Sequence, residues 1–388
     1  MAVIDFTRFV NPDSELFDFN LKYLFYVGLW PHENWPKYKA TLYTCYEISL
    51  HILTFAFIVL STIGTYQNKD DILIVLANLD KSIVVYFFSL RAICFTYKRK
   101  DIAILMSEMI NSGDTVSIEK KTLMVKTILL TTGLTTTVVT LFSMVAFYNG
   151  ELTLEIWLPF KANEDLMHLI TAVQVVALLF MPGLLRSNGI QGVVCSLIIY
   201  LCDQLEELQD RIRSLHFNAE NEVAMRENFK DIVQKHVRLM RYSNTTSLLF
   251  KEYFLLQNLS LTMELCLNAV MASVTGSDDK NLLVSFIVFL FVALLNAYLY
   301  CYLGNELIIQ SGGIALAAYE TSWTSWPVDL QKRLLVMIRV AQRPLSLSAG
   351  GIAVMSVQTY SQVSYSHNKT YDLKTQRRCS IISSTRTS

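Results

Sequence analysis

Residues 300–323 read YCYLGNELIIQSGGIALAAYETSW, and residues 326–360 read WPVDLQKRLLVMIRVAQRPLSLSAGGIAVMSVQTY. The first stretch begins as an apolar span that ends at a small-residue junction, Gly304-Asn305. A mildly apolar segment rich in Gly, Ala and Ser follows, then a basic amphipathic helix and Pro344. A last span, from Ser346 to about Val363, is polar for a membrane helix. A simple anchor needs no such polarity, whereas a helix with lipid on one side and water on the other does. The stretch therefore reads as a pore element.

Composition points the same way. The 388 residues are 52% hydrophobic and only 17% charged, a combination that soluble domains rarely show. Formal net charge is zero, so no basic field argues for nucleic acid. The first residues, MAVIDFTRFVNPDSELFDF, carry four acids and no apolar core of signal length; no cleaved leader is expected there. The seven cysteines are odd in number and dispersed, which suits lipid-facing or core positions better than a disulfide framework or zinc site.

A bilayer core takes about 20 mostly apolar residues per helix. Seven stretches qualify, at about 43–66, 72–97, 124–148, 166–202, 249–274, 281–303 and, weakly, 346–363. Basic residues crowd alternate connections: Lys98, Arg99, Lys100, Lys120 and Lys121 after the second span, Arg211 to Arg241 after the fourth, and Lys332, Arg333, Arg339 and Arg343 after the sixth. The other connections hold Lys69, Lys161 and Lys280. The positive-inside rule then sets the N-terminus in the cytoplasm and, with seven spans, the C-terminus outside. The basic tail, with Lys369, Lys374, Arg377, Arg378 and Arg386, resists that placement.

The fourth span is too long for one crossing. Leu201, Leu205, Leu208, Ile212 and Leu215 continue it as a heptad-like seam, which predicts helix extensions forming a cytoplasmic layer. The seam fits packing within the chain and contact between subunits equally well. Asp80, Lys81, Arg91, Arg186 and Glu264 lie inside spans, where ionisable groups are costly and face protein or water; a Lys81–Glu264 pair between helices is one expectation. The outer halves of the spans offer candidate ligand contacts at Asn78, Tyr86, Phe142, Met144, Phe147, Met167, Val173 and Phe286, aromatic and Met side chains with a few polar groups. The same spacing also suits plain packing. The apolar centre of the loop after the third span, Ile156 to Phe160, suits either a lid over a cavity or an interfacial belt. Met355, Gln358, Thr359 and Gln362 recur at helical spacing and form a partly polar face, the candidate pore lining, without an acidic ring. No Walker loop, GxGxxG, GxSxG, CxxC or HExxH is present, so neither an enzyme nor a cofactor or metal is expected. Sequons stand at Asn244, Asn258 and Asn368.

One set of residues carries more. Tyr300-Cys301-Tyr302 followed by Gly304-Asn305, then Ser311, Ala317-Ala318-Tyr319, Trp323 and the QRPLSL stretch from Gln342 to Leu347 together resemble the insect odorant receptors. The resemblance implies a ligand-binding subunit in a heterotetramer with a common co-receptor, located in the cell membrane of olfactory neuron dendrites. It also implies a cation pore between the last helices of four subunits and a volatile small molecule bound among the second, third, fourth and sixth spans, beneath the loop carrying Trp157 and Phe160. On this reading residues 1–42 are a cytoplasmic segment, 43–303 the first six helices with the pocket, 304–343 cytoplasmic anchor helices, 344–363 the pore-lining seventh helix, and 364–388 an atypical polar tail. The family continues apolar after Thr359-Tyr360; here the chain turns polar and basic from His367, although Ser364-Tyr365-Ser366 is similar to a family element. A subunit that does not conduct, a G-protein-coupled seven-helix receptor, and a scaffold or transporter are the alternatives, the second opposed by the loop charges.

Overall fold

The computed structural model describes residues 16–32, 35–150, 152, 154–160, 164–216, 222–274 and 280–362. The polar tail and its sequon at Asn368 lie outside them, as does the side chain of Phe286. A short helix, α1 (Asp18–Tyr26), precedes six long ones: α2 (Lys37–Gln67), α3 (Ile72–Ile110), α4 (Ile118–Asn149), α5 (Leu166–Arg213), α6 (Glu222–Val274) and α7 (Lys280–Tyr319). An amphipathic helix, α8 (Val328–Ala341), and a small hairpin, β1 (Ser348–Ala349) with β2 (Ala353–Val354), follow. Among the described residues, six helices are long and apolar enough to cross a membrane, and they coincide with the first six expected spans.

The helices overrun the bilayer at one end, where the basic connections gather. There α5 is the central pillar, packed against every other long helix and α1. The seam residues Leu201, Leu205, Leu208 and Ile212 are fully buried, and Leu215 nearly so. Their partners lie within this chain, on α6 and α7, which settles the seam as intramolecular. Each such side chain contributes about 1.5–3 kcal/mol through burial. α8 adds Leu330, Leu334, Met337 and Ala341, which recur at steps of four, three and four and form its buried face. Around this core, Asp114 receives hydrogen bonds from Arg238 Nη2 at 2.7 Å and Tyr200 Oη at 2.9 Å, and Lys235 Nζ stands 3.3 Å away.

Two expectations about the C-terminal stretch need correction. The helix does not break at Gly304-Asn305: α7 runs through it to Tyr319. Gly304 is where the hairpin segment presses on α7, since a Cβ there would lie 2.4 Å from the Met355 carbonyl oxygen. Nor is 344–363 a continuous helix. Pro344 is followed by a hairpin whose turn places Gly350 and Gly351 at φ +61° and +77°, conformations glycine adopts at little cost. Gly350 N–H donates to the Lys251 carbonyl at 2.8 Å, and Met355 N–H to that of Leu347 at 2.9 Å. Helix resumes only at 357, behind Ser356, whose Oγ accepts from Thr359 N–H at 3.2 Å. Met355 therefore lies outside the helical repeat and is 2% exposed inside the monomer, so it does not belong to a pore face. Gln358 and Gln362, four residues apart, are exposed, and Thr359 is half-buried.

Candidate functional site

At the end of the bundle away from the basic connections, α3, α4 and α5 separate enough to leave a cavity of about 60 Å³. Val173, Val176, Ala177 and Phe180 form its α5 wall, spaced i, i+3, i+4 and i+7. Val139, Phe142 and Ser143 supply the α4 wall, Lys81 the α3 wall, and Leu152 and Leu154 the roof. The roof belongs to the α4–α5 loop, and it is held firmly. Asn78 Nδ2 donates to the Glu155 carbonyl at 2.9 Å, while its Oδ1 accepts from Glu155 N–H at 3.0 Å. Trp157 N–H donates to the Leu60 carbonyl at 3.0 Å. Gly64 on α2 makes room for the loop, since a Cβ there would lie 2.4 Å from the Glu155 carbonyl oxygen. Leu154 and Ile156 are buried, and Trp157 is half-exposed, so the loop combines the lid with an outward aromatic.

A second cavity of about 80 Å³ lies deeper, among α3, α4, α5, α6 and α7. Val139 and Phe180 line both. They are the partition between the chambers, and Phe57 holds the Phe180 ring edge-on at 5.6 Å. The deeper chamber is the more polar of the two, with Arg91, Thr135, Asn188, Gln191, Gln257, Ser260, Glu264 and Asn296 on its wall. Arg91 donates to Gln257 Oε1 and packs over the Phe88 and Tyr253 rings. Gln191 Nε2 donates to Asn296 Oδ1 at 3.2 Å, and Asn188 Nδ2 to Thr135 Oγ1 at 2.8 Å. Glu264 accepts from Ser260 Oγ at 2.9 Å. Lys81 and Glu264 thus line different chambers, and the expected pair between them is not the arrangement found.

Of the expected ligand contacts, the structure brings Phe142 and Val173 together in the outer chamber. Asn78 is buried but spends its amide on the lid. Tyr86 shares a hydrogen bond with Thr62 Oγ1 at 2.6 Å, away from both chambers. Met144, Phe147 and Met167 are 60%, 41% and 73% exposed and line neither. Phe180, Val139, Leu154 and Gly64 were not foreseen. The α5 stripe was readable as a helical repeat, but nothing local marked Gly64 or Leu154, because each acts through a contact distant in sequence. Among the described residues, no group of His, Cys, Asp and Glu is placed to hold a metal ion.

Comparison with known proteins agrees with this architecture. The family model described as 7tm Odorant receptor matches residues 72–365. Odorant receptor 85f of Drosophila melanogaster is 28% identical over 132 residues, 34% of this chain and 33% of that protein. Odorant receptor Or2 of Anopheles gambiae is 26% identical over 141 residues, 36% of this chain and 37% of that protein. The aligned segments therefore span about a third of these relatives. In three dimensions the chain is similar to the olfactory receptor OR5 of Machilis hrabei in complex with eugenol, with a TM-score of 0.73 and 16% identity, covering 92% of this chain and 97% of that one. The chain is a multi-pass membrane protein and belongs to the 7tm Odorant receptor family.

Proposed function

We infer that this protein is the odorant-binding subunit of a heteromeric ligand-gated cation channel, assembled with a co-receptor and oriented with its N-terminus in the cytoplasm. The observation that carries the reading is the mostly apolar chamber under the clamped lid, with Phe142, Val173 and Phe180 on its wall. Neither chamber alone suits a volatile: an apolar cavity of about 150 Å³ is what holds benzene. Rotation of Phe180 would join the two and admit a small molecule with an aromatic or hydrocarbon body, a class to which the eugenol bound by the Machilis hrabei receptor belongs. Gln358, Thr359 and Gln362 remain the proposed pore lining, in the part of the last segment that is helical.

The test is odorant-evoked current on co-expression with the co-receptor. Phe180→Ala is expected to change the range of effective volatiles. If the native chain is silent but conducts once 363–388 are replaced by an apolar, family-like end, the tail is at fault and the subunit reading stands. Silence of both, with normal surface expression, would overturn it.

A further inference from the structure

Arg186 is 2% exposed and among the largest fully buried side chains of the protein. Its Nη2 shares a hydrogen bond with His51 Nε2 at 2.9 Å and makes a long one, 3.4 Å, to the Gly28 carbonyl. Its Nε is buried with no partner. The nearby carboxylate gives it no hydrogen bond: Glu47 is engaged by Arg99 Nη1, at 3.2 and 3.3 Å to its two oxygens. A guanidinium offers five donors, and this one meets only neutral acceptors.

Beside it is a cavity of about 190 Å³ between α2, α3 and α5, larger than either chamber described above. Its wall is mostly apolar, with Phe55, Ile58, Phe88, Ala92 and Ile93. The hydroxyls of Thr54 and Ser89 donate back to their own helices, to the Leu50 and Val85 carbonyls. Phe55 and Ile93 are 66% and 55% exposed, so the mouth is on the outer flank of the bundle. Depth also constrains the occupant. Arg186 lies about 30 Å along α5 from Leu166 at 1.5 Å per residue, one hydrocarbon thickness. With Leu166 taken as the opposite edge of the hydrocarbon, this count puts Arg186 at the membrane boundary on the basic side. Tyr26, Tyr38 and Tyr46 are exposed on α1 and the adjoining start of α2, as an interfacial aromatic belt would be.

A buried cation with unused donors, an apolar lateral groove and boundary depth together suit one chemistry. We propose that this flank binds an anionic phospholipid from the leaflet at the basic end, with its phosphate on the Arg186 guanidinium and an acyl chain along Phe55 and Ile93. An odorant does not fit this flank, because the groove carries a full positive charge and opens sideways rather than beneath the lid.

The test uses the full chain, delipidated in uncharged detergent, with phosphatidic acid, phosphatidylcholine or inorganic phosphate added and bound species read by native mass spectrometry. Phosphatidic acid should bind with phosphatidylcholine weaker by about tenfold or more. Arg186→Gln should weaken phosphatidic acid by a similar factor. Ile93→Trp, at the exposed mouth, should do the same with helical content and melting unchanged, so the outcome does not depend on how Arg186→Gln folds. Equal binding of the two lipids, or native-like binding by both variants, overturns the proposal. Inorganic phosphate displacing phosphatidic acid at equal concentration would make this a free-anion site and overturn the lipid assignment.

Discussion

The two ends of this bundle are built by opposite rules. At the basic end, one large buried cluster knits the helices together: Tyr200, Tyr300, Phe250 and Phe254 are fully buried, and the Phe254 and Tyr300 rings meet at 5.7 Å. Charges there are tied between helices, Arg226 to Asp329, Arg213 to Glu320 and Lys120 to Glu206. At the other end the buried clusters are small, the chambers sit between helices, and the lid is held by the Asn78 amide and one backbone bond to Leu60. Close packing makes a region resist displacement, while unfilled space lets it repack. One end is suited to hold position and the other to change shape.

That contrast breaks most readily at Lys235. Its ammonium is 5% exposed and serves Asp114, Glu207 and Gln204 at once. Lys235→Met leaves Asp114 buried with less compensation and should cost about 3–5 kcal/mol, seen as a lower unfolding midpoint in detergent and poor surface expression. Asn78→Ala should cost less, about 1–3 kcal/mol, and only locally: amide exchange in residues 154–158 should accelerate while the basic end keeps its protection. Val173→Trp fills the outer chamber and should weaken odorant potency about tenfold, near 1.4 kcal/mol, whereas Met144→Ala should stay within about 0.5 kcal/mol of native. Acid sharpens the comparison last. Burial alone would raise the Asp114 carboxyl, but the Tyr200 hydroxyl, Lys235, Ser112 and Arg238 outweigh it and hold it below its ordinary 3.8. A lowered folded value gives stability that is full above the ordinary one and is lost as pH falls through the folded one. Asp114→Asn should flatten the acid limb of the stability curve.

The basic end was legible in the sequence because its signals are repeats. Leu201 to Leu215 and Leu330 to Ala341 announce their buried faces by spacing alone, and so do the six apolar spans. The ligand end was legible only in part. Phe142 and Met144 are two residues apart, hence about 200° apart on a helix, and cannot share a wall; only Phe142 turns inward. Asn78 looked like a polar contact for a ligand because its partner, Glu155, is 77 residues away. The segment 346–356 looked like a span because hydropathy does not distinguish a buried hairpin from a helix. Gly350-Gly351 was the mark of the turn, and Leu347 and Met355 supply the pairing that closes it.

Pro182 falls within α5 between Phe180, on the chamber partition, and Leu184, on the wall of the deeper chamber, ahead of the continuously buried stretch from 186 to 202. It leaves the carbonyl of Leu178 without its usual intrahelical donor, so the rod is least stiff at that point. α5 therefore behaves as two beams on one pivot. The upper beam can tilt when a guest pushes on its valine stripe, and the lower one, wedged among α4, α6 and α7, delivers the resulting torque to its neighbours rather than absorbing it.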